Sequence, residues 1–116
     1  MSVIIEIPGT LDLRLSPNRN TPPRTLKRLR AKLRDHVQQT ARAWRNNEGL
    51  FGDEPIIVGP AVIGVTVRWE RGRNQWDIDN LISACKGLCD GLQAAGIIAN
   101  DRDLTWGVVG QIKAPD

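Results

Sequence analysis

Apolar residues recur along the chain with a helical period in two places. In the first, they step by three and four positions between residues 25 and 44: Leu26, Leu29, Leu33, Val37, Ala41 and Trp44. This spacing predicts an amphipathic helix with Thr21-Pro22 at its start. The second set predicts another helix that ends at Gly96: Leu81, Cys85, Leu88, Leu92 and Ala95.

Alternation with period two predicts the strands. The β-branched run from Ser2 to Ile7 ends in Pro8-Gly9, which indicates a first strand and a turn. Leucines at 11, 13 and 15 alternate with polar residues, as in a short second strand or an extended segment. Three prolines then make residues 16–23 a loop.

The second half of the chain carries two more strand patterns. Ile56 to Glu70 has β-branched residues on both faces, which favours a central strand. In the last strand the apolar positions alternate with polar or small residues: Leu104, Trp106, Val108 and Ile112. The order of patterns predicts an α/β (α+β) fold, with a mixed sheet of about four strands and two principal helices in a single domain over residues 1–116.

Charge is segregated along the chain, although the net charge is only +3. Basic residues concentrate between Arg19 and Arg45 and between Arg68 and Arg73, whereas carboxylates concentrate between Asp77 and Asp103. The polar face of the first helix carries seven of the cations: Lys27, Arg28, Arg30, Lys32, Arg34, Arg42 and Arg45. This segregation is typical of a protein that binds a polyanion with one region and acts on it with another. The alternative is an arginine-rich helix face that is only solvated.

Several functional classes are disfavoured by composition. Cys85 and Cys89 are too few for a zinc site or a disulfide framework, which favours reduced core residues. No run approaches the roughly 18 apolar residues of a membrane span, and the first eight residues lack the pattern of a secretory signal. We therefore expect a cytoplasmic protein with no membrane partner.

An acidic cluster opens the second helix directly after the basic loop of residues 71–75. On a helical wheel Asp79, Ser83, Lys86 and Asp90 share one narrow stripe opposite the apolar face. Asp79 or Asn80 acting only as a helix cap, and a merely solubilising stripe, are the alternatives. Mg²⁺ prefers octahedral oxygen ligands, for which Asp77, Asp79 and Asp101 are candidates. Asp101 can join the others only if the last strand returns beside the strand that feeds the helix.

These residues resemble the RusA-type Holliday junction resolvases of bacteria and their phages. In that family an Asp-x-Asp-Asn motif opens a helix that carries a lysine, and an acidic pair follows an Ala-Gly-like turn. The matching segments here are Asp77-Ile78-Asp79-Asn80, Lys86 to Leu92, Ala95-Gly96-Ile97-Ile98 and Asn100-Asp101. Ser16-Pro17-Asn18-Arg19 is similar to a substrate-facing loop of the family. The resemblance is specific over residues 77–101, and Asn100 replaces one carboxylate of the acidic pair.

The resemblance implies metal-assisted hydrolysis of phosphodiesters in branched DNA, the four-way junction of recombination and repair, by a homodimer that makes two symmetric cuts. Mg²⁺, with Mn²⁺ as a substitute, would be held by Asp77, Asp79 and Asp101, with Lys86 as a further catalytic residue. The implied DNA-binding residues are Asn18, Arg19, Arg71, Arg73 and Asn80. The first alternative is a nucleic-acid-binding protein that has lost catalysis, which the amide of Asn100 in place of a carboxylate would indicate. An interaction protein whose aspartates only cap a helix is the second.

Overall fold

A computed structural model of the chain describes residues 2–71 and 76–114. It contains both helices and strands, so the mixed α and β class is confirmed. The elements, in chain order, are α1 (Pro23–Asn47), β1 (Ala61–Trp69), α2 (Ile78–Ala84), α3 (Lys86–Ala94) and β2 (Leu104–Lys113). Three short 3-10 helices accompany them, at Leu13–Leu15, Pro17–Arg19 and Asp101–Asp103.

The sheet of the described residues consists of β1 and β2 in parallel, so the prediction of about four strands is not confirmed. The side chains of residues 2–7 alternate between exposed and half-buried, but these residues join no strand of the sheet. The leucines at 13 and 15 belong to a 3-10 helix, because the Asp12 side chain accepts a hydrogen bond from the Arg14 backbone and caps a turn. β1 is accordingly not central, and its outer face leaves Val62 exposed.

β2 contains a bulge that changes which of its residues face the core. Ile63 lies opposite Trp106 but Val65 lies opposite Val109, so β2 has one residue more than β1 between these pairs. An extra residue reverses the alternation of the side chains that follow it. Val108 is consequently 80% exposed, while Val109 packs in the core. The predicted inward face of the last strand is therefore wrong beyond Trp106.

The predicted second helix is divided at Cys85 into α2 and α3. Its apolar face is buried as predicted, with Leu81, Cys85 and Ala95 almost inaccessible. Gly96 has a φ of +74°, and the amide of Ile97 donates to the carbonyl of Leu92 at 2.9 Å. This is the bonding of a helix that ends in a left-handed glycine, so the predicted stop is confirmed.

Two glycines let α3 approach α1 closely. A β-carbon on Gly91 would lie 2.7 Å from the Val37 β-carbon, and one on Gly87 would lie 3.1 Å from the Arg30 carbonyl oxygen. Leu29 packs with Ala84 near the start of α1, and Ala41 packs with Ala95 near its end. The first helix therefore runs in the same direction as α2 and α3.

The parallel pairing gives the sheet two distinct edges. At the carboxyl edge, β1 ends at Trp69 and β2 ends at Lys113; at the amino edge the strands begin at Ala61 and Leu104. α2 and α3 lead the chain from the carboxyl edge back to the amino edge, as in a βαβ unit. Among the described residues, none of the helices is long and apolar enough to cross a membrane.

Candidate functional site

Asp77 and Asp79 lie together where the chain leaves the carboxyl edge and enters α2. Asp77 is the N-cap residue and Asp79 is in the first turn, and both are exposed. The Asp77 side chain makes no capping hydrogen bond. Within residues 2–71 and 76–114, neither carboxylate has a hydrogen bond or an ion pair, which leaves both able to bind a ligand. Capping by Asp77 therefore does not explain the pair.

The peptide that leads into Asp77 is held by a glutamine of β2. The amide N–H of Trp76 donates to Gln111 Oε1 at 2.8 Å, and Gln111 Nε2 donates to the Trp76 carbonyl at 2.7 Å. Trp69 Nε1 donates to the same Oε1 at 2.7 Å, and the two indole rings lie 5.3 Å apart. Sequence reasoning missed Gln111, which the alternation placed on the polar face; Gly107, a glycine inside a strand pattern, was the available signal for a bulge.

The loop that resembles a substrate-facing segment lies against the start of this site. Its 3-10 helix, Pro17–Arg19, packs beside α2. The Ser16 hydroxyl accepts from the Asn18 amide at 3.4 Å, and the left-handed Asn20 closes the turn. Asn18 and Arg19 are exposed, and Asn80 is half-buried in the first turn of α2. The 3-10 helix that carries Asn18 and Arg19 thus contacts α2, the helix whose first turn carries Asp79 and Asn80.

Basic side chains border the same edge of the sheet. Arg71 follows β1 after Glu70 and is exposed, as are Arg68 and Lys113 near the strand ends. The start of α1 is also close, because Leu26 and Trp76 pack against one hydrophobic cluster. Arg73 lies outside the described residues. These cations are available to contact phosphate beside Asp77 and Asp79, and the exposed Glu70 offsets part of their charge.

Arg45 was predicted on the basic face of the first helix, and this assignment is wrong. Its side chain is only 3% exposed, and the guanidinium donates to the backbone carbonyls of Leu50, Glu54 and Gly96. Arg42, one turn earlier, pairs with Asp53 at 2.7 Å. The end of α1 is therefore committed to holding the neighbouring loops, and the cations available to a ligand lie nearer the start of α1.

Asp101 lies at the amino edge, away from the other two aspartates. It is exposed in the 3-10 helix just before β2, and its amide donates to Gln93 Oε1 at 2.9 Å. The last strand does return beside β1, as the site requires, but it returns in parallel. From Leu104 to Gln111, the partner of Trp76, β2 rises about 23 Å. The structure therefore does not bring Asp101 to Asp77 and Asp79.

Lys86 is the first residue of α3 and is exposed. It lies about 10 Å along the helical path from Asp79, at 1.5 Å per residue. The alternative of an ion pair with Asp90 is not formed within the described part of the chain. The Lys86 ammonium therefore has no anionic partner within residues 2–71 and 76–114.

The thiols of the buried Cys85 and the half-buried Cys89 both have raised pKa values. Burial raises the pKa of the Cys85 thiol to about 11, and Cys89 adds to the shift. Burial, followed by the charges of Asp101 and Asp90, raises the pKa of Cys89. A thiol with a raised pKa is a poor nucleophile and a poor metal ligand at neutral pH.

The donor set at the carboxyl edge fits a hard divalent cation in part. Mg²⁺ is commonly bound by one or two carboxylates, with water and substrate phosphate completing its octahedron. Asp77 and Asp79 supply such a pair. No group of three or more His, Cys, Asp or Glu side chains converges anywhere in residues 2–71 and 76–114. The three-carboxylate site stays a prediction, of which Asp77 and Asp79 are the part that the geometry favours.

Comparison of the chain with protein-family models, with curated proteins and with solved structures gave no match.

Proposed function

We propose that this protein is a Mg²⁺-dependent, structure-specific DNA endonuclease that resolves four-way junctions by hydrolysing phosphodiesters. The observation that carries the proposal is the exposed Asp77 and Asp79 pair, which has no partner among the described residues and stands beside a basic edge of the sheet. Ligands of open α/β sheets bind outside the carboxyl ends of the strands, which is where this pair lies. The resemblance of residues 77–101 to the resolvase family supports the same reading.

The residues at this edge have separate roles in the proposed reaction. Asp77 and Asp79 would hold Mg²⁺ together with an oxygen of the scissile phosphate. The bound ion would supply an activated water and charge neutralisation. Lys86 would stabilise the charge that develops on the phosphate as the bond breaks. Arg71 and Arg19 would hold neighbouring phosphates, which supplies affinity without reading sequence.

A four-way junction requires two symmetric cuts for its resolution, so the proposal includes a homodimer with two such edges. This part rests on the resemblance and on the symmetry of the substrate. Sedimentation of the protein with and without a junction would measure its oligomeric state.

The decisive experiment compares labelled four-way, forked and linear duplex DNA side by side, with Mg²⁺ and with EDTA. We expect Mg²⁺-dependent cuts in the four-way junction, placed symmetrically, and little cleavage of the linear duplex. Equal cleavage of all three substrates would contradict the proposed structure specificity. If the protein shifts the junction on a gel but leaves it uncut at every Mg²⁺ and Mn²⁺ concentration, the proposed catalytic activity is contradicted.

That last result would favour a second candidate function, a junction-binding protein without catalysis. The observation in its favour is the distance of Asp101 from Asp77 and Asp79, together with Asn100 where the family has a carboxylate. The basic edge would then bind the DNA backbone without a reaction. Mn²⁺ titration separates the two functions independently of cleavage, because a site that binds the ion raises the thermal stability of the folded protein.

A further inference from the structure

The side-chain amide of Gln111 makes three hydrogen bonds, all to the tryptophan pair beside Asp77. Its Oε1 accepts from the Trp76 amide and from Trp69 Nε1, and its Nε2 donates to the Trp76 carbonyl. The amide orientation follows from this network, since the opposite assignment would direct its N–H groups at two donors. All three contacts are between 2.7 and 2.8 Å.

The Trp76 carbonyl belongs to the peptide group that joins Trp76 to Asp77. A peptide group is planar, so holding its oxygen also fixes the direction in which the chain enters the Asp77 α-carbon. The Asp77 carboxylate itself has no hydrogen bond within the described residues. Its position before a ligand arrives therefore depends on its backbone, and Gln111 is the side chain that holds that backbone.

Gln111 occupies this position because of the bulge in β2. The extra residue between Trp106 and Val109 turns Val109 and Gln111 toward the core side of the sheet. Gln111 is half-buried, and its contacts span 35 residues of sequence to Trp76 and 42 to Trp69. It thus couples the end of β2 to the start of α2.

We propose that Gln111 is a positioning residue that presents the Asp77 carboxylate to the metal ion. This role rests on the proposed function. Residues that orient a metal ligand through hydrogen bonds typically change metal affinity by about 10–100-fold when they are replaced. We expect Gln111→Leu, which is similar in size but cannot form the three bonds, to weaken Mn²⁺ binding at Asp77 by at least about tenfold.

The test uses the full chain labelled with ¹⁵N and titrated with Mn²⁺, which broadens the amide signals near the ion. The half-saturation concentration is read from the Asp77 amide, and hydrogen exchange of the Trp76 amide reports the bond to Gln111. Gln93→Leu is the matched control, because Gln93 Oε1 likewise accepts from a backbone amide, that of Asp101, but at the other edge of the sheet. Gln111→Glu is a second variant that keeps both acceptor contacts but turns a carboxylate oxygen toward the Trp76 carbonyl, so that repulsion replaces the donated bond at neutral pH.

We expect faster Trp76 exchange and a higher Mn²⁺ half-saturation in Gln111→Leu, a higher half-saturation also in Gln111→Glu, and wild-type values in Gln93→Leu. If Gln111→Leu does not fold, the Gln111→Glu shift decides the question. Wild-type half-saturation in the glutamine variants, even with a lower melting temperature, would overturn the positioning role alone. Absence of Mn²⁺ broadening in the wild-type protein would overturn the proposed metal site and the positioning role with it.

Discussion

Arg45 Nη1 donates to the carbonyl oxygen of Gly96 at 2.6 Å, which ties the end of α1 to the turn after α3. The same guanidinium also donates to the carbonyls of Leu50 and Glu54. Three backbone segments are therefore held by one buried cation. Gly96 has no room for a side chain here, since a β-carbon would lie 2.5 Å from Arg45 Nη1.

Replacement of Arg45 should cost stability rather than DNA binding. Arg45→Met removes the guanidinium donor from the part-buried carbonyls of Leu50 and Glu54 and from the buried carbonyl of Gly96, which keeps only the Ile56 amide. We expect the free energy of unfolding to fall by about 2–4 kcal/mol. Arg42→Met is the matched control, because its partner Asp53 is exposed, and we expect it to cost less than about 1 kcal/mol. Urea denaturation measures both, and equal losses in the two variants would contradict the structural role of Arg45.

Neutralising the candidate metal ligands should separate cleavage from binding. We expect Asp77→Asn and Asp79→Asn each to abolish junction cleavage while junction affinity is kept or increased, because the ion is lost but the phosphate contacts remain. Asp101→Asn should cut at close to the wild-type rate if each ion is bound within one protomer of the described geometry. Loss of cleavage in Asp101→Asn would show that this residue reaches the site in the functional assembly.

Arg71 should contribute one phosphate contact to DNA binding. We expect Arg71→Ala to weaken binding and to reduce the slope of log affinity against log salt concentration by about one unit. The same is predicted from the sequence for Arg73→Ala. Arg102→Ala is the control, since Arg102 is exposed at the amino edge. An unchanged slope in the Arg71→Ala, Arg73→Ala double variant would place these arginines off the DNA path.

Lys86 is tested by kinetics. If Lys86 stabilises the reacting phosphate, Lys86→Ala should lose two or more orders of magnitude in single-turnover rate at saturating Mg²⁺, with Mn²⁺ affinity nearly unchanged. Arg102→Ala, at the amino edge, is a suitable control for the loss of one exposed positive charge. A rate within about twofold of wild type, which is under 0.5 kcal/mol in barrier, would remove Lys86 from the reaction.

The raised pKa of the Cys85 thiol leads us to expect a loss of folding stability at alkaline pH. Its pKa is about 11 in the folded protein against an ordinary value of 9.0, so the folded state holds the proton more tightly than the unfolded state. The contribution of this group to the free energy of unfolding is complete below pH 9 and is lost as the pH rises through about 11. Over that interval the slope from one proton is at most about 1.4 kcal/mol per pH unit. Urea denaturation of wild type and Cys85→Ala should give curves that converge as the pH rises, and parallel curves would contradict the shift.

Elements whose signals are local could be predicted from the amino-acid sequence. The three- and four-residue spacing of α1 predicted its apolar face, with Leu29, Val37 and Ala41 buried. Gly96 marked the end of α3 because only a residue tolerant of a left-handed conformation suits that position. The motif around Asp77 and Asp79 placed both carboxylates at a helix start, which depends only on neighbouring residues.

Features that depend on contacts between distant segments could not be predicted from local patterns and required the folded structure. Parallel return of β2 put Asp101 at the edge opposite Asp77, because the direction of a strand relative to its neighbour is not encoded in its own alternation. The bulge before Val109 turned Gln111 inward, since one extra residue reverses the faces of every later position. Arg45 was predicted to be exposed like the other cations of the first helix. It is buried because its guanidinium bonds three backbone carbonyls from segments outside that helix. Periodicity records which residues avoid water, whereas register and partner choice are set by packing between segments far apart in the chain.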